Sequence, residues 1–349
     1  MPNAGPRAWI WTLAVLALVA LSFGAGRRQA ASRPEPPPAG AWNTEAPGEE
    51  TSLREPVRPV SETRDALPLP PLDTPLRLTA SELASRAARG DAPAACRLAA
   101  EYEWCDALGR ERANAARLVE RLPPPDRDRP AAPDPFADRR QAAQVDLDAA
   151  EERFARHCAG APVLGAARRV GYWRQAALQG HPAALRHYAV GNAFRFHDLL
   201  DALPELERYR REAGTLALRG ANAGDPAMMY VLAMAHAEGS DGQYRPFLAQ
   251  TLSPDAGRAL VWFRRLQDSP TVQRLPEAHA VRREIERSLS SLSRLVPPDE
   301  LRRAEAASAG YRPTTDGSAD LLPLVFPNGG LRDVNRQDCS QVPSRPGPG

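Results

Sequence analysis

The histidines are the first residues to consider for chemistry, because a close group of imidazoles could bind a metal or transfer protons. None of them forms an H-E-x-x-H motif, and His181 and His187 are spaced so that they lie on roughly opposite faces of a helix. The chain also has neither a glycine-rich phosphate loop nor a G-x-S-x-G nucleophile elbow. We therefore predict no catalytic residue, no bound metal and no cofactor. The histidines are His157, His181, His187, His197, His236 and His279.

The cysteines could form disulfides, and their positions on predicted helices favour one pair. Cys105 and Cys158 lie at the carboxyl ends of predicted helices 92–105 and 138–157, which one further helix separates. In an alternating array two such helices run parallel and end on the same side, so we predict a Cys105–Cys158 disulfide. Two free buried thiols are the alternative. The four cysteines, which permit three complete pairings, are Cys96, Cys105, Cys158 and Cys339.

The remaining two cysteines have a less definite prediction. Cys96 lies on an apolar stripe and is expected in the core, with Cys339 as its partner if the carboxyl-terminal tail folds back. No C-x-x-C spacing occurs, which argues against a zinc site.

Composition excludes one class of partner and describes the core. The 45 basic residues are all arginine, and with 43 acidic residues they leave a formal net charge of +2. A nucleic-acid-binding domain usually carries a clear basic surplus, so we predict no nucleic-acid partner. Aromatic residues make up 6% of the chain, so the core must consist mainly of alanine and leucine.

The amino terminus carries an uncharged apolar stretch, AWIWTLAVLALVALSFGAG, over residues 8–26. Its length approaches the ~20 residues that span a bilayer. We predict a transmembrane anchor or signal peptide over residues 1–29, with membrane contact through residues 8–26. Cleavage near Gly26, after small residues, would instead release the protein into the periplasm. Arginines flank the stretch on both sides and leave its orientation open.

A proline-rich segment over residues 30–77 follows, with few periodic apolar positions. Such a composition is typical of an extended, disordered linker that holds a folded body away from a membrane. The linker and the four cysteines suit an oxidising compartment. We therefore predict a single-pass protein of the bacterial inner membrane whose body lies in the periplasm.

The body itself has the periodicity of helices. Apolar residues recur at helical spacing over residues 78–312, and strand-like alternation is nearly absent. We predict an all-α body there and a weakly ordered tail over residues 313–349. The predicted helices span 79–89, 92–105, 110–122, 138–157, 165–178, 182–194, 205–222, 226–238, 254–267, 275–295 and 298–309.

A short glycine-centred pattern recurs three times, at Gly90, Gly180 and Gly224. Each glycine follows a stretch rich in small residues, which predicts a helix that ends in a left-handed cap. Asp91 and Asp225 can then cap the next helix. Each glycine therefore marks a helix hairpin, and hairpins with an apolar face must stack on one another.

A longer pattern extends the glycine-centred one. Trp173 and Ala177 precede Gly180, and Leu98 and Tyr102 follow the first glycine in a partial copy. Residues 221–267 carry the clearest copy, and its defining residues are Gly224, Tyr230, Leu232, Gly239, Asp255, Ala259, Trp262 and Phe263. This pattern resembles the Sel1-like repeat family, a relative of the tetratricopeptide repeats.

The resemblance implies a short right-handed α-solenoid of stacked helix hairpins that serves as a scaffold for protein contacts. We therefore expect a non-enzymatic interaction scaffold of the bacterial envelope, whose concave face binds an unidentified protein or peptide. Two alternatives stay open at this point. One is an envelope enzyme or enzyme accessory that acts on cell-wall material, and the other is a membrane-anchored scaffold that faces the cytoplasm.

Overall fold

The helices predicted from periodicity dominate the computed structural model, which describes residues 68–124, 134–237, 246–311 and 330–340. Within these ranges the structure is all-helical, which confirms the all-α part of the prediction. Its α-helices are α1 (Leu76–Ala88), α2 (Ala92–Arg121), α3 (Ala137–His157), α4 (Ala166–Leu178), α5 (Pro182–Ala189), α6 (Leu203–Asn222), α7 (Pro226–His236), α8 (Phe247–Thr251), α9 (Ala256–Gln267), α10 (Pro270–Gln273), α11 (Ala280–Leu295) and α12 (Pro298–Ala309). Two 3₁₀ helices, Phe196–Ala202 and Asp338–Ser340, complete the described elements.

The predicted membrane segment, residues 8–26, lies outside the described residues, as does the linker up to residue 67. None of the helices in the described ranges combines the length and the apolar character that crossing a bilayer requires.

The three predicted hairpin turns share one geometry. Gly90, Gly180 and Gly224 have φ values of 94°, 86° and 95°, in the left-handed region that glycine adopts without a steric cost. The side chains of Asp91 and Asp225 accept hydrogen bonds from main-chain N–H groups in the first turn of α2 and α7. Local sequence therefore accounts for these turns, because each cap involves residues only a few positions apart.

The middle hairpin uses a different cap. His181 stands where the other two copies have aspartate, and its Nδ1 accepts a hydrogen bond from the Ala184 N–H at 3.3 Å. The imidazole is buried, and its Nε2 lies 3.1 Å from the main-chain oxygen of Cys339. This histidine thus starts α5 and contacts the carboxyl-terminal segment at the same time.

Helices adjacent in the chain pack on one another in succession. The pairs α1/α2, α4/α5 and α6/α7 form the hairpins, and α2, α4 and α6 contact one another in order. α9 packs on α7 and in turn contacts α11 and α12. Close approach depends on small residues, since a Cβ at Gly220 of α6 would lie 2.8 Å from the Leu185 side chain and 2.9 Å from that of Met228.

The structure corrects several predicted boundaries. The predicted helices 92–105 and 110–122 are one continuous helix, α2, of 30 residues. Gly109 lies between the two predicted helices, and α2 continues through it; a Cβ at this position would lie 3.7 Å from the Phe154 ring of α3. The predicted helix 182–194 ends at Ala189, and the predicted helix 275–295 starts only at Ala280.

The carboxyl-terminal segment also differs from a simple tail. Residues 330–340 lie within the stretch for which weak order was expected, yet Leu331 and Cys339 belong to the main hydrophobic core. We call residues 330–340 the strap, because they are fastened across the helices.

Candidate functional site

Cys105 and Cys158 form a disulfide, with an S–S distance of 2.07 Å, but the arrangement differs from the one predicted. Cys105 lies in the interior of α2, and Cys158 caps the end of α3. The two helices run antiparallel, as the ion pair between Glu111 and Arg153 shows. The cysteines therefore face each other across consecutive helices and not at the ends of two parallel ones.

The second disulfide joins Cys96 of α2 to Cys339 of the strap, over a sequence separation of 243 residues. Both cysteines are fully buried. This bond fixes the end of the strap against the first turns of α2.

Four side chains of the helical body hold the main chain of the strap, one of them Arg97, whose Nη1 donates to the Arg336 carbonyl at 3.5 Å. The amide of Asn192 donates a hydrogen bond to the Leu331 carbonyl at 2.8 Å. The N–H of Val334 donates to Nδ1 of His187 at 3.2 Å. These bonds, together with the contact from His181 to the Cys339 carbonyl, are all made to main-chain atoms of the strap and not to its side chains.

One strap side chain enters a charged pocket. Nη1 of Arg336 lies 3.0 Å from Oε2 of Glu101 and 3.0 Å from Nε2 of His157, and it donates to the Leu72 carbonyl at 2.9 Å. Its guanidinium also lies over the Trp104 ring, 5.0 Å from the ring centre. Electrostatic and cation–π contacts thus act on the same group.

Glu101 is buried beneath this arginine and is paired a second time. Nε of Arg97, one turn earlier on α2, donates to Oε1 of Glu101 at 2.6 Å. Burial by itself would raise the pKa of Glu101, but the hydrogen bond from His157 and the charge of Arg336 outweigh it and lower the pKa. The carboxylate is therefore ionised.

Glu103 forms a second buried ionic centre, two residues further along α2. Its oxygens face Nε2 of His187 at 3.3 Å, Nη2 of Arg195 at 2.5 Å and the indole N–H of Trp173 at 3.0 Å. Burial would raise the pKa of this carboxyl, but the facing His187 and the Arg195 guanidinium lower it to about 2. Arg195 also donates to Asp333 of the strap at 2.7 Å, so the strap and the Glu103 centre share a cation.

Both glutamates are ionised and surrounded by hydrogen-bond donors. This geometry suits them to hold the helices and the strap together and not to transfer protons near neutral pH. Sequence reasoning did not identify either centre. The only local indication was the pattern Glu101-x-Glu103 on a helix otherwise rich in small residues, and a single sequence does not show which partners will neutralise such charges.

An open cleft of about 500 Å³ lies beside the Cys105–Cys158 disulfide. Asp106 of α2 forms one side, where it pairs with Arg110 and lies 3.0 Å from Nε2 of His197. Other residues that line it come from α3, the loop after it, α4 and the 3₁₀ helix, and they include Phe154, Val163, Leu164, Arg169, Asp198 and Asp201.

Apolar side chains stand exposed on two segments that contribute to the cleft. Val163, which lines the cleft, is 97% exposed. Phe196 is 96% exposed and Leu200 is 80% exposed, and both lie on the 3₁₀ helix whose His197 and Asp198 line the cleft. Large apolar side chains exposed on such segments are candidates for contact with a partner.

The repeat-defining residues lie mostly in the core. Those that are buried are Leu98, Trp173, Ala177, Tyr230, Leu232, Ala259, Trp262 and Phe263, whereas Tyr102 is partly buried. Asp255 accepts a hydrogen bond from the Arg258 N–H and caps α9, and Gly239 lies outside the described residues. Tyr102 also lines the cleft, whereas the other described residues of the pattern position the helices.

The histidines serve as structural partners where the structure describes them. Burial lowers the pKa of His181 and of His236, and Nδ1 of His236 lies 3.1 Å from the Ser253 carbonyl. Among the described residues, no three histidine, cysteine or acidic side chains are grouped so that they could hold a metal ion.

Comparison with known proteins returned no match for this chain among protein-family models, curated proteins or solved structures.

Proposed function

We propose that this protein is a non-enzymatic protein–protein interaction scaffold of the bacterial cell envelope, built as a short Sel1-like α-solenoid. The apolar residues exposed around the cleft carry the proposal, since Phe196 and Val163 leave nearly their whole side chains in water. Contact with a partner would remove this surface from water, at about 25 cal/mol per Å² of apolar area.

The order of helix packing supports a repeat scaffold. Hairpins α1/α2, α4/α5 and α6/α7 share their glycine turns and contact one another in sequence order. Stacked hairpins of this kind present extended surfaces on which other polypeptides bind. The residues of the resemblance, such as Trp173 and Phe263, lie in the seams between helices.

The two disulfides support an envelope location, because such bonds persist in oxidising compartments. We propose that residues 8–26 anchor the chain in the inner membrane and that the helical body lies in the periplasm. Release after cleavage near Gly26 would place the same body in the same compartment.

Site-specific photo-cross-linking in cells tests the proposed contact surface. A photoreactive phenylalanine analogue replaces Phe196, and a matched control carries it at Leu295, which is 70% exposed on α11. Both positions are exposed, so stability should stay within about 0.5 kcal/mol of the wild type. We expect a discrete cross-linked protein in envelope fractions from the Phe196 variant only. Identical products from both variants, or none from either, would contradict the proposal.

A further inference from the structure

Residues 331–335 of the strap are non-helical and are held through their main chain, as a groove holds a peptide, and the chain then turns at Arg336 into the 3₁₀ helix Asp338–Ser340. Asn192 and His187 hydrogen-bond to its main chain at Leu331 and Val334. Contacts to main-chain groups give affinity without depending on the bound sequence, so they do not require this particular segment. Side-chain pockets must then provide the selectivity.

The pocket that holds the Arg336 side chain provides this selectivity. Glu101, His157 and the face of Trp104 surround the guanidinium, and the Leu72 carbonyl accepts from it. All three polar contacts are made by one nitrogen, Nη1, so they require a cation, and the contact of the planar group with the Trp104 ring is the one that lysine would lose. The pocket therefore accepts a basic side chain and favours arginine.

Release of the strap would not leave Glu101 unpaired. Glu101 keeps Arg97 as a partner 2.6 Å away when Arg336 leaves, so no isolated charge would stay buried. Release would expose the side chains that hydrogen-bond to the main chain of the strap, the apolar surface that Leu331 and Cys339 cover, and the unfilled pocket beside Glu101 and Trp104. These are features to which another segment can bind.

The Cys96–Cys339 disulfide determines how long the strap remains bound to the helices. Cys96 and Cys339 are both fully buried, so the bond is shielded from attacking thiolates once it has formed. Before oxidation only non-covalent contacts retain the strap.

We propose that the surface beneath residues 330–340 is a binding groove for an extended polypeptide segment with an arginine anchor, which the chain's own strap occupies and which the Cys96–Cys339 disulfide closes to other segments. The inference rests on the proposed scaffold function and identifies a second, separate contact surface with its ligand chemistry. The groove accepts a partner segment while Cys96 and Cys339 are thiols.

The test uses the full chain and a labelled synthetic peptide with the sequence of residues 330–340 and Cys339→Ser. The strap competes at an effective concentration of the order of 1 mM, so the chain carries Cys96→Ser, Cys339→Ser and Arg336→Ala together. A control peptide differs only by Arg336→Ala. Near-ultraviolet circular dichroism and an intact Cys105–Cys158 disulfide establish that the variant is folded.

We expect saturable binding of the labelled peptide to the triple variant, at least tenfold weaker binding of the control peptide, and no binding to the oxidised wild type. Equal affinity for the two peptides would overturn the proposal, as would binding to the oxidised wild type or no binding by the folded variant.

A second measurement covers the case in which the triple variant does not fold. In the Cys96→Ser/Cys339→Ser chain, excess peptide should displace the strap and accelerate hydrogen exchange at the Val334 amide, whereas the control peptide should not. Unchanged exchange with both peptides would overturn the proposal. Failure here leaves cross-linking at Phe196 unaffected, so the two proposals fail separately.

Discussion

Cys105 and Cys158 are joined across two antiparallel helices that follow each other in the chain, with Cα atoms 5.5 Å apart. The bond closes a sequence separation of 53 residues that includes the proline-rich stretch PPPDRDRPAAPDP between α2 and α3. It therefore fastens α3 to the helices on which the cleft and the strap depend.

Removal of this disulfide should destabilise the protein. For the Cys105→Ser/Cys158→Ser variant we expect the free energy of unfolding in urea to fall by about 2–4 kcal/mol, since a cross-link restricts the unfolded chain. Circular dichroism follows the transition. A change below about 0.5 kcal/mol would mean that the bond does not constrain the unfolded state.

The two disulfides should differ in their reactivity. Cys105 is partly buried beside the open cleft, whereas Cys96 and Cys339 are fully buried. A dithiol reductant under native conditions should therefore reduce Cys105–Cys158 first. Timed alkylation with peptide mass spectrometry measures the order. Simultaneous reduction would show that global opening, and not local exposure, controls access.

Glu103 should make stability depend on acid pH. Its folded pKa of about 2 lies below the value of about 4.3 in an unfolded chain. Its contribution is therefore complete above the unfolded pKa and is lost as pH falls towards the folded pKa. We expect the stability difference between the wild type and Glu103→Gln to shrink by about 2 kcal/mol between pH 6 and pH 3.

Urea titrations at several pH values measure this difference, with Glu207→Gln at an exposed position of α6 as the control. A pH dependence in Glu103→Gln equal to that of the wild type would contradict the assignment of Glu103.

The hairpin glycines can be tested with a matched pair near α4. Gly180 has a φ of 86° and open space around its Cβ position, so alanine there would carry only the backbone cost of about 1–2 kcal/mol. Gly171 lies within α4, also with open space, and alanine there should stabilise by about 0.5–1 kcal/mol. Thermal unfolding of the two variants measures both effects, and a shift of the same sign in each would contradict the role of Gly180.

Much of the local structure could be predicted because its causes lie within a few residues. A glycine at a helix end and an aspartate just after it, as at Gly224 and Asp225, specify a turn and a cap wherever the chain goes next. The helix boundaries around Gly109 could not be predicted in the same way, since α2 continues through this glycine although glycine is a poor helix former.

The sequence by itself determined an all-helical body with three glycine hairpins, because periodicity and capping act over one or two turns. Only the tertiary structure decided that Arg336 meets Glu101 and that Cys339 reaches Cys96, 243 positions away. No local pattern encodes such pairings, since the cost of closing a long loop is met by contacts from several separate helices at once. The strap, the two buried glutamate centres and the cleft all belong to that second class.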